Sequence, residues 1–126
     1  ARLIPDYRDA ERAYFKKTGI FPIMHTLVIR DVVYNENPWI AKNLFNAFEA
    51  SKAKAAELMA YTGAIVVMTP WLHDAVDEMS AIFNGDAWPY GLEANRRHLE
   101  TFTRYLVEEG FLSETPALDD IFASVG

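Results

Sequence analysis

Prolines that directly follow helix-capping residues constrain the fold of this chain more than any other sequence feature. Asn37-Pro38, Thr69-Pro70 and Thr115-Pro116 each join a capping side chain to a proline, whose fixed φ suits the first helical turn. Apolar residues recur at helical spacing after these signals, and a glycine follows several of the runs. The pattern predicts a mostly helical chain with five helices, which begin near Pro5, Pro38, Pro70, Leu92 and Pro116.

The stretch from Ile20 to Tyr34 predicts a strand. It is rich in β-branched residues, and Met24 to Ile29 is almost continuously apolar, as is typical of a strand covered on both faces in a parallel sheet. One strand cannot form a sheet, so we expect its neighbours in a longer chain or in another molecule. An exposed edge of this strand could also join two copies into a homo-oligomer. The start at Ala1, without an initiator methionine, agrees with a piece of something larger.

Composition excludes several classes of function. The 126 residues suit one compact domain, and 12 basic against 18 acidic side chains give a net charge of -6, which argues against a nucleic-acid partner. The lack of cysteine excludes disulfides, thiolate metal sites and cysteine nucleophiles. The longest apolar run, Ala64 to Met68, is too short to cross a bilayer, and no signal peptide opens the chain. We therefore expect a cytoplasmic protein without a membrane partner.

His25 is the first candidate for chemistry. It lies among apolar residues of the predicted strand, where a neutral imidazole could accept or deliver a proton or bind a carboxylic acid. The alternative is a core histidine whose ring is satisfied by a backbone carbonyl. No H-x-x-x-H or H-E-x-x-H pattern is present, so the histidines do not predict a metal site.

The loop before the fourth predicted helix is the second candidate. Trp88 and Tyr90 stand beside Pro89 and Gly91, and together they could form a rigid wall for an aromatic ligand or simply a packed corner. The following helix begins with three polar residues of interest. Arg96 could clamp a carboxylate, and Asn95 could help to bind it. Glu93 is either a general acid or base or a favourable charge in the first turn of the helix.

Several strings along the chain form a distinctive set: PDYR from Pro5, TGIFPIMHT from Thr18, PWL from Pro70, WPYGLE from Trp88 and GFL from Gly110. They resemble the 4,5-dihydroxyphthalate decarboxylase family, and the resemblance runs through nearly the whole chain. The resemblance implies an α/β fold: the C-terminal part of a type II periplasmic-binding-protein-like, two-lobed protein. Residues 1–126 would form a single compact unit of it, mostly helical with one main strand.

The resemblance also implies a reaction, the decarboxylation of 4,5-dihydroxyphthalate to protocatechuate and CO2. It needs no cofactor in principle, because the substrate phenolate supplies the electrons. On this interpretation His25 transfers the proton, Glu93 is a second acid or base, Arg96 and Asn95 bind the carboxylate, and Trp88 and Tyr90 form the wall. The partners would be a small aromatic carboxylate and the missing N-terminal portion of the same protein, without which we expect the isolated chain to be inactive.

Two other interpretations stay open. A solute-binding protein of a transporter would share the fold, bind a small carboxylate without chemistry, and work in the periplasm. A helical interaction domain, complete as it stands, would be a cooperative monomer with no exposed strand edge.

Overall fold

The computed structural model describes residues 2–125, and within this range the chain is helical and has no strand. Six helices follow one another: α1 (Tyr7–Thr18), α2 (Asp31–Glu36), α3 (Trp39–Ala60), α4 (Leu72–Phe83), α5 (Leu92–Glu108) and α6 (Leu118–Ile121). The five predicted helices are confirmed as α1 and α3 to α6, and α2 is an addition. None of the described helices combines the length and the apolar character that a bilayer crossing requires.

The prediction of an α/β fold with one main strand is wrong for the described residues. Residues 19–30 run as irregular chain, and Asp31–Glu36 form α2 inside the segment predicted as a strand. A strand is stable only when a neighbouring strand accepts and donates its ladder of hydrogen bonds, and residues 2–125 offer none. The strand edge through which two copies could have paired is therefore not formed.

The helix ends show why the helical predictions succeeded. Gly19 adopts a left-handed conformation, φ 66°, and its N–H donates to the Phe15 carbonyl at 2.6 Å, which closes α1. Gly110 has φ 77° just after α5. Asn37 differs from its predicted role: its side chain donates back to the Val33 carbonyl at 3.4 Å and makes no cap bond to α3.

The helices bury few side chains where they pack against one another. α3 contacts α2 and α4, and α6 lies on α5. α1 reaches α4 through Phe15 and Phe83, whose ring centroids are 4.5 Å apart, and through ion pairs from Arg8 and Arg12 to Glu78. The buried apolar core among the described residues consists of four side chains: Ala41, Leu72, Ala87 and Leu118.

The surface area of the chain is correspondingly large. It exposes 10110 Å², whereas a compact monomer of its mass, 14.3 kDa, exposes about 6,800 Å². Met24 and Val28, in the irregular segment, are 68% and 85% exposed. Much of the apolar surface of this chain is thus open to contact with other molecules.

Candidate functional site

The segment that follows α1 lies against α5 and against the Trp88 loop. The N–H of Phe21 donates to Nε2 of His98 at 3.2 Å, which fixes the segment to the middle of α5. The Phe21 ring meets the Phe83 and Trp88 rings edge to face, at centroid distances of 5.2 and 6.4 Å. Two of the sequence strings that carry the resemblance, TGIFPIMHT and WPYGLE, therefore meet at Phe21.

A groove of about 420 Å³ opens between α1, residues 20–26 and α5. Its polar lining consists of two histidines, two tyrosines and two threonines: Tyr14, His25, Thr26, His98, Thr101 and Tyr105. Apolar side chains such as Met24 and Phe102 complete it, and no Asp or Glu is among the described residues that line it. The groove is thus apolar and aromatic, and its ionisable groups are imidazoles and phenols.

His98 has an unusual hydrogen-bonding state in this groove. Because Nε2 accepts the Phe21 N–H, the proton of the neutral ring is on Nδ1. Nδ1 is buried and has no hydrogen-bond partner among the described residues. Burial lowers the pKa of His98, and the nearby charge of Arg97 lowers it further, so the neutral form is favoured. His98 therefore presents a buried N–H whose hydrogen-bonding capacity is unused.

His25 lines the same groove and is exposed. Its exposure within the described residues removes the interpretation of His25 as a core histidine. The exposed ring is free to meet a ligand in the groove. Its proton-transfer role stays a prediction.

Arg96 and Glu93 lie elsewhere on α5. Nη2 of Arg96 is 2.5 Å from Oε1 of Glu93 and 3.1 Å from Oδ1 of Asp119, so the guanidinium already holds two carboxylates. The hydrogen bond from Arg96 lowers the pKa of Glu93 and of Asp119. Arg96 and His98 are two residues apart, which separates their side chains by about 200° around the helix axis.

Asn95 organises the loop that precedes α5. Its Nδ2 donates to the carbonyls of Pro89 and Gly91, at 2.6 and 2.9 Å, and so holds the loop against the first turns of the helix. The amide hydrogens of Asn95 are occupied by these bonds. Its predicted role in binding a carboxylate stays a prediction.

Lys52 of α3 holds the other side of this loop. Its Nζ lies 2.8 Å from Oδ2 of Asp86, donates to the Trp88 carbonyl at 3.1 Å, and stands 4.2 Å from the centroid of the Tyr90 ring. Burial disfavours the charge on Lys52, but the hydrogen bonds to Asp86 and Glu49 outweigh it and raise the pKa. Trp88 and Tyr90 stay 51% and 41% exposed beside these contacts.

A smaller cavity of about 200 Å³ lies between α1 and α4, beside Arg8, Arg12 and Glu78. Both arginines pair with Glu78 there. Asp9 also pairs with Arg12 and Glu11 lines the cavity, so three carboxylates stand against the two arginines.

The predicted site residues do not converge on one place. His25 is in the groove, Trp88 touches the groove segment through Phe21, and Arg96 with Glu93 lies on the far side of α5. The sequence interpretation missed His98, which it assigned to a mixed helix face. The spacing of His98, Phe102 and Tyr105 on α5, four and seven residues, would have shown that they share one side.

No protein-family model matches this chain. The 4,5-dihydroxyphthalate decarboxylase of Comamonas testosteroni is similar to it, with 32% identity over 111 residues. The similar region is 88% of this chain and 34% of that protein, so the chain spans about a third of the length of the curated relative it matches.

Proposed function

We propose that this chain takes part in the decarboxylation of an aromatic hydroxy acid, with 4,5-dihydroxyphthalate as the substrate. The observation that carries the proposal is the 32% identity to a 4,5-dihydroxyphthalate decarboxylase over 88% of the chain. The meeting of two resemblance strings at Phe21, beside a groove with two imidazoles, supports it. Because the similar region is 34% of that relative, the proposal includes further polypeptide that completes the site.

The proposed reaction is driven by the substrate itself. A hydroxyl para to a carboxylate ionises, and the phenolate pushes electron density onto the ring carbon that bears that carboxylate. A general acid protonates this carbon, the carbon–carbon bond to the carboxylate breaks, and CO2 leaves as its electron pair restores the aromatic ring. One proton is taken up on carbon, and protocatechuate is the product. The protein contributes a proton donor, a site for the retained carboxylate and a dry wall.

In this proposal His25 is the proton-transfer residue, because it is an exposed imidazole in the groove lining. Trp88 and Tyr90 are the proposed aromatic wall and Glu93 the proposed second acid or base, and none of the three is in the described lining of the groove that holds His25. Asn95 and Arg96 are the proposed site of the retained carboxylate. This requires Arg96 to exchange Glu93 or Asp119 for the substrate, Asn95 to release a carbonyl of the loop, and the far side of α5 to be brought to the same ligand as His25. These rearrangements are a specific cost of the proposal.

The test uses the full-length protein and 4,5-dihydroxyphthalate. We expect protocatechuate and CO2 in equal amounts by chromatography and gas capture, and no product from phthalate, which lacks the hydroxyls. His25→Ala should reduce turnover by about 10²–10⁴-fold, the range for a lost general acid, whereas His73→Ala on α4 should not. No CO2 from the hydroxylated acid would contradict the proposal, and tight binding without turnover would favour a solute-binding protein.

A further inference from the structure

We propose that the groove between α1, residues 20–26 and α5 binds the carboxylate of a small aromatic acid, and that the Nδ1–H of His98 donates to it. The class of ligand rests on the proposed function, whereas the place and the donor rest on the geometry of the groove. His98 would then be a ligand-binding residue that the sequence pattern did not single out.

The size and lining of the groove suit such a ligand. A volume of about 420 Å³ lies within the range of roughly 300–1,000 Å³ that is usual for small-molecule sites. Tyr14 of α1 and Phe102 and Tyr105 of α5 supply aromatic side chains for a ring to pack against. Thr101 and His25 supply polar groups along the same walls.

The described lining of the groove carries no negative side chain that would repel an anion. The chain is net acidic, yet none of the described residues that line the groove is Asp or Glu. The titratable groups that face it are Tyr14 from α1, His25 from the irregular segment, and His98 and Tyr105 from α5. Arg97 stands beside His98 with no ion pair to any residue from 2 to 125, whereas Arg96 is held by two carboxylates.

The donor is unpaired because of the tautomer of His98. The Phe21 N–H occupies Nε2 of His98 and leaves the proton on Nδ1, which has no partner among the described residues. An unsatisfied buried N–H is destabilising, and a ligand oxygen would satisfy it. Since Nδ1 is sealed from solvent, the ligand reaches it by displacing a side chain in the groove wall.

The test measures binding of benzoate and of benzyl alcohol to the full-length protein by calorimetry. We expect the wild type to prefer benzoate, and His98→Phe to weaken benzoate binding about tenfold or more, the effect of losing one hydrogen bond to a charged group. His73→Phe, which replaces a histidine outside the groove, is the matched control and should bind as the wild type does. Equal benzoate affinity in wild type and His98→Phe would overturn the proposal.

A second measurement keeps the proposal testable should His98→Phe fail to fold. In the wild type labelled with ¹⁵N on histidine, saturating benzoate should shift the Nδ1–H proton resonance of His98 downfield, as a new hydrogen bond requires. An unchanged resonance at saturation would refute the proposal. Benzoate has no hydroxyl and is not decarboxylated by the proposed route, so its binding is measured independently of turnover. Benzoate binding through His98 together with no CO2 from 4,5-dihydroxyphthalate would fail the proposed function alone. If His98→Phe leaves the turnover of 4,5-dihydroxyphthalate unchanged, the role of His98 is contradicted and the proposed function still stands.

Discussion

The two sides of α5 use the same kinds of polar residue in opposite ways. On one side Arg96 pairs with the carboxylates of Glu93 and Asp119. On the other side His98 lines a groove whose described lining has no carboxylate, and its Nδ1–H has no partner among residues 2–125. Ion pairs thus join one side of α5 to α6, and the other side carries an N–H without a partner among the described residues.

The largest expected effect comes from the apolar contact beneath the ion pairs. Leu118 of α6 is 6% exposed, and Leu118→Ala should lower the free energy of unfolding by about 2–3 kcal/mol because it leaves a cavity in a very small core. Urea denaturation measures this loss. Benzoate affinity of the folded fraction should be unchanged, since Leu118 does not line the groove. A parallel loss of affinity would show that the two sides of α5 are coupled.

A smaller effect is expected at Lys52, which joins α3 to the Trp88 loop. Lys52→Met removes the bonds to Asp86 and to the Trp88 carbonyl and should cost about 1 kcal/mol, reduced by the partial exposure of Asp86. Hydrogen exchange of residues 86–91 should become faster. Lys54→Met is the control, because Lys54 pairs only with Glu57 on the same exposed face of α3. Equal effects of the two variants would contradict the structural role of Lys52.

The pH dependence of stability distinguishes the groove side of α5, which carries His98, from the ion-paired side, which carries Glu93. The pKa of His98 is lowered in the fold from its ordinary value of 6.5, so the unfolded chain takes up the proton first as the pH falls. The contribution of His98 to stability is complete above about pH 6.5 and is lost as the pH falls through the lower, folded pKa. Melting temperature should therefore decrease below neutral pH, and His98→Phe should make that decrease shallower.

The carboxylates on the ion-paired side act in a lower pH range. The pKa of Glu93 is lowered from its ordinary value of 4.5, so the pair with Arg96 stabilises the fold above that pH and loses its effect as the pH falls through the folded pKa. A melting temperature that stays level from neutral pH down to about pH 5 would contradict the interpretation of His98.

The smallest effect is expected for the exposed pair between Arg96 and Asp119. Asp119→Asn should leave the denaturation midpoint almost unchanged, because exposed ion pairs are screened by water and salt. Asp120→Asn, one residue along, is the matched control. If Arg96 is the carboxylate clamp of the proposed function, Asp119→Asn should increase the affinity for 4,5-dihydroxyphthalate. An unchanged affinity would favour His98 over Arg96 as the carboxylate donor.

Local signals predicted the helices well because they act within a few residues. The run from Leu92 to Gly110 was predicted as a helix closed by glycine, and α5 ends at Glu108 with Gly110 at φ 77°. The segment Ile20 to Tyr34 failed because β-branched composition favours a strand only where a partner strand exists. Without one, residues 19–30 stay irregular and Asp31–Glu36 become helix.

The candidate site could be predicted only in part, for a similar reason. His25 was named from the sequence and lines the groove. His98 was not, because its role depends on Phe21, a residue 77 positions away that donates to its ring. The pairing of Arg96 with Asp119, 23 positions along the chain, was equally invisible in the local pattern.

Proline and glycine positions and apolar spacing were enough to place α1 and α3 to α6, because these signals act within a few residues, whereas no capping side chain forms a cap hydrogen bond at the described helices. The lack of cysteine likewise excludes thiol chemistry without reference to the fold. The tertiary structure decided which arginine is neutralised, which histidine keeps a free N–H, and that the apolar segment after α1 is irregular chain. Those outcomes depend on hydrogen-bond partners that are far apart in the chain, and only folding brings them together.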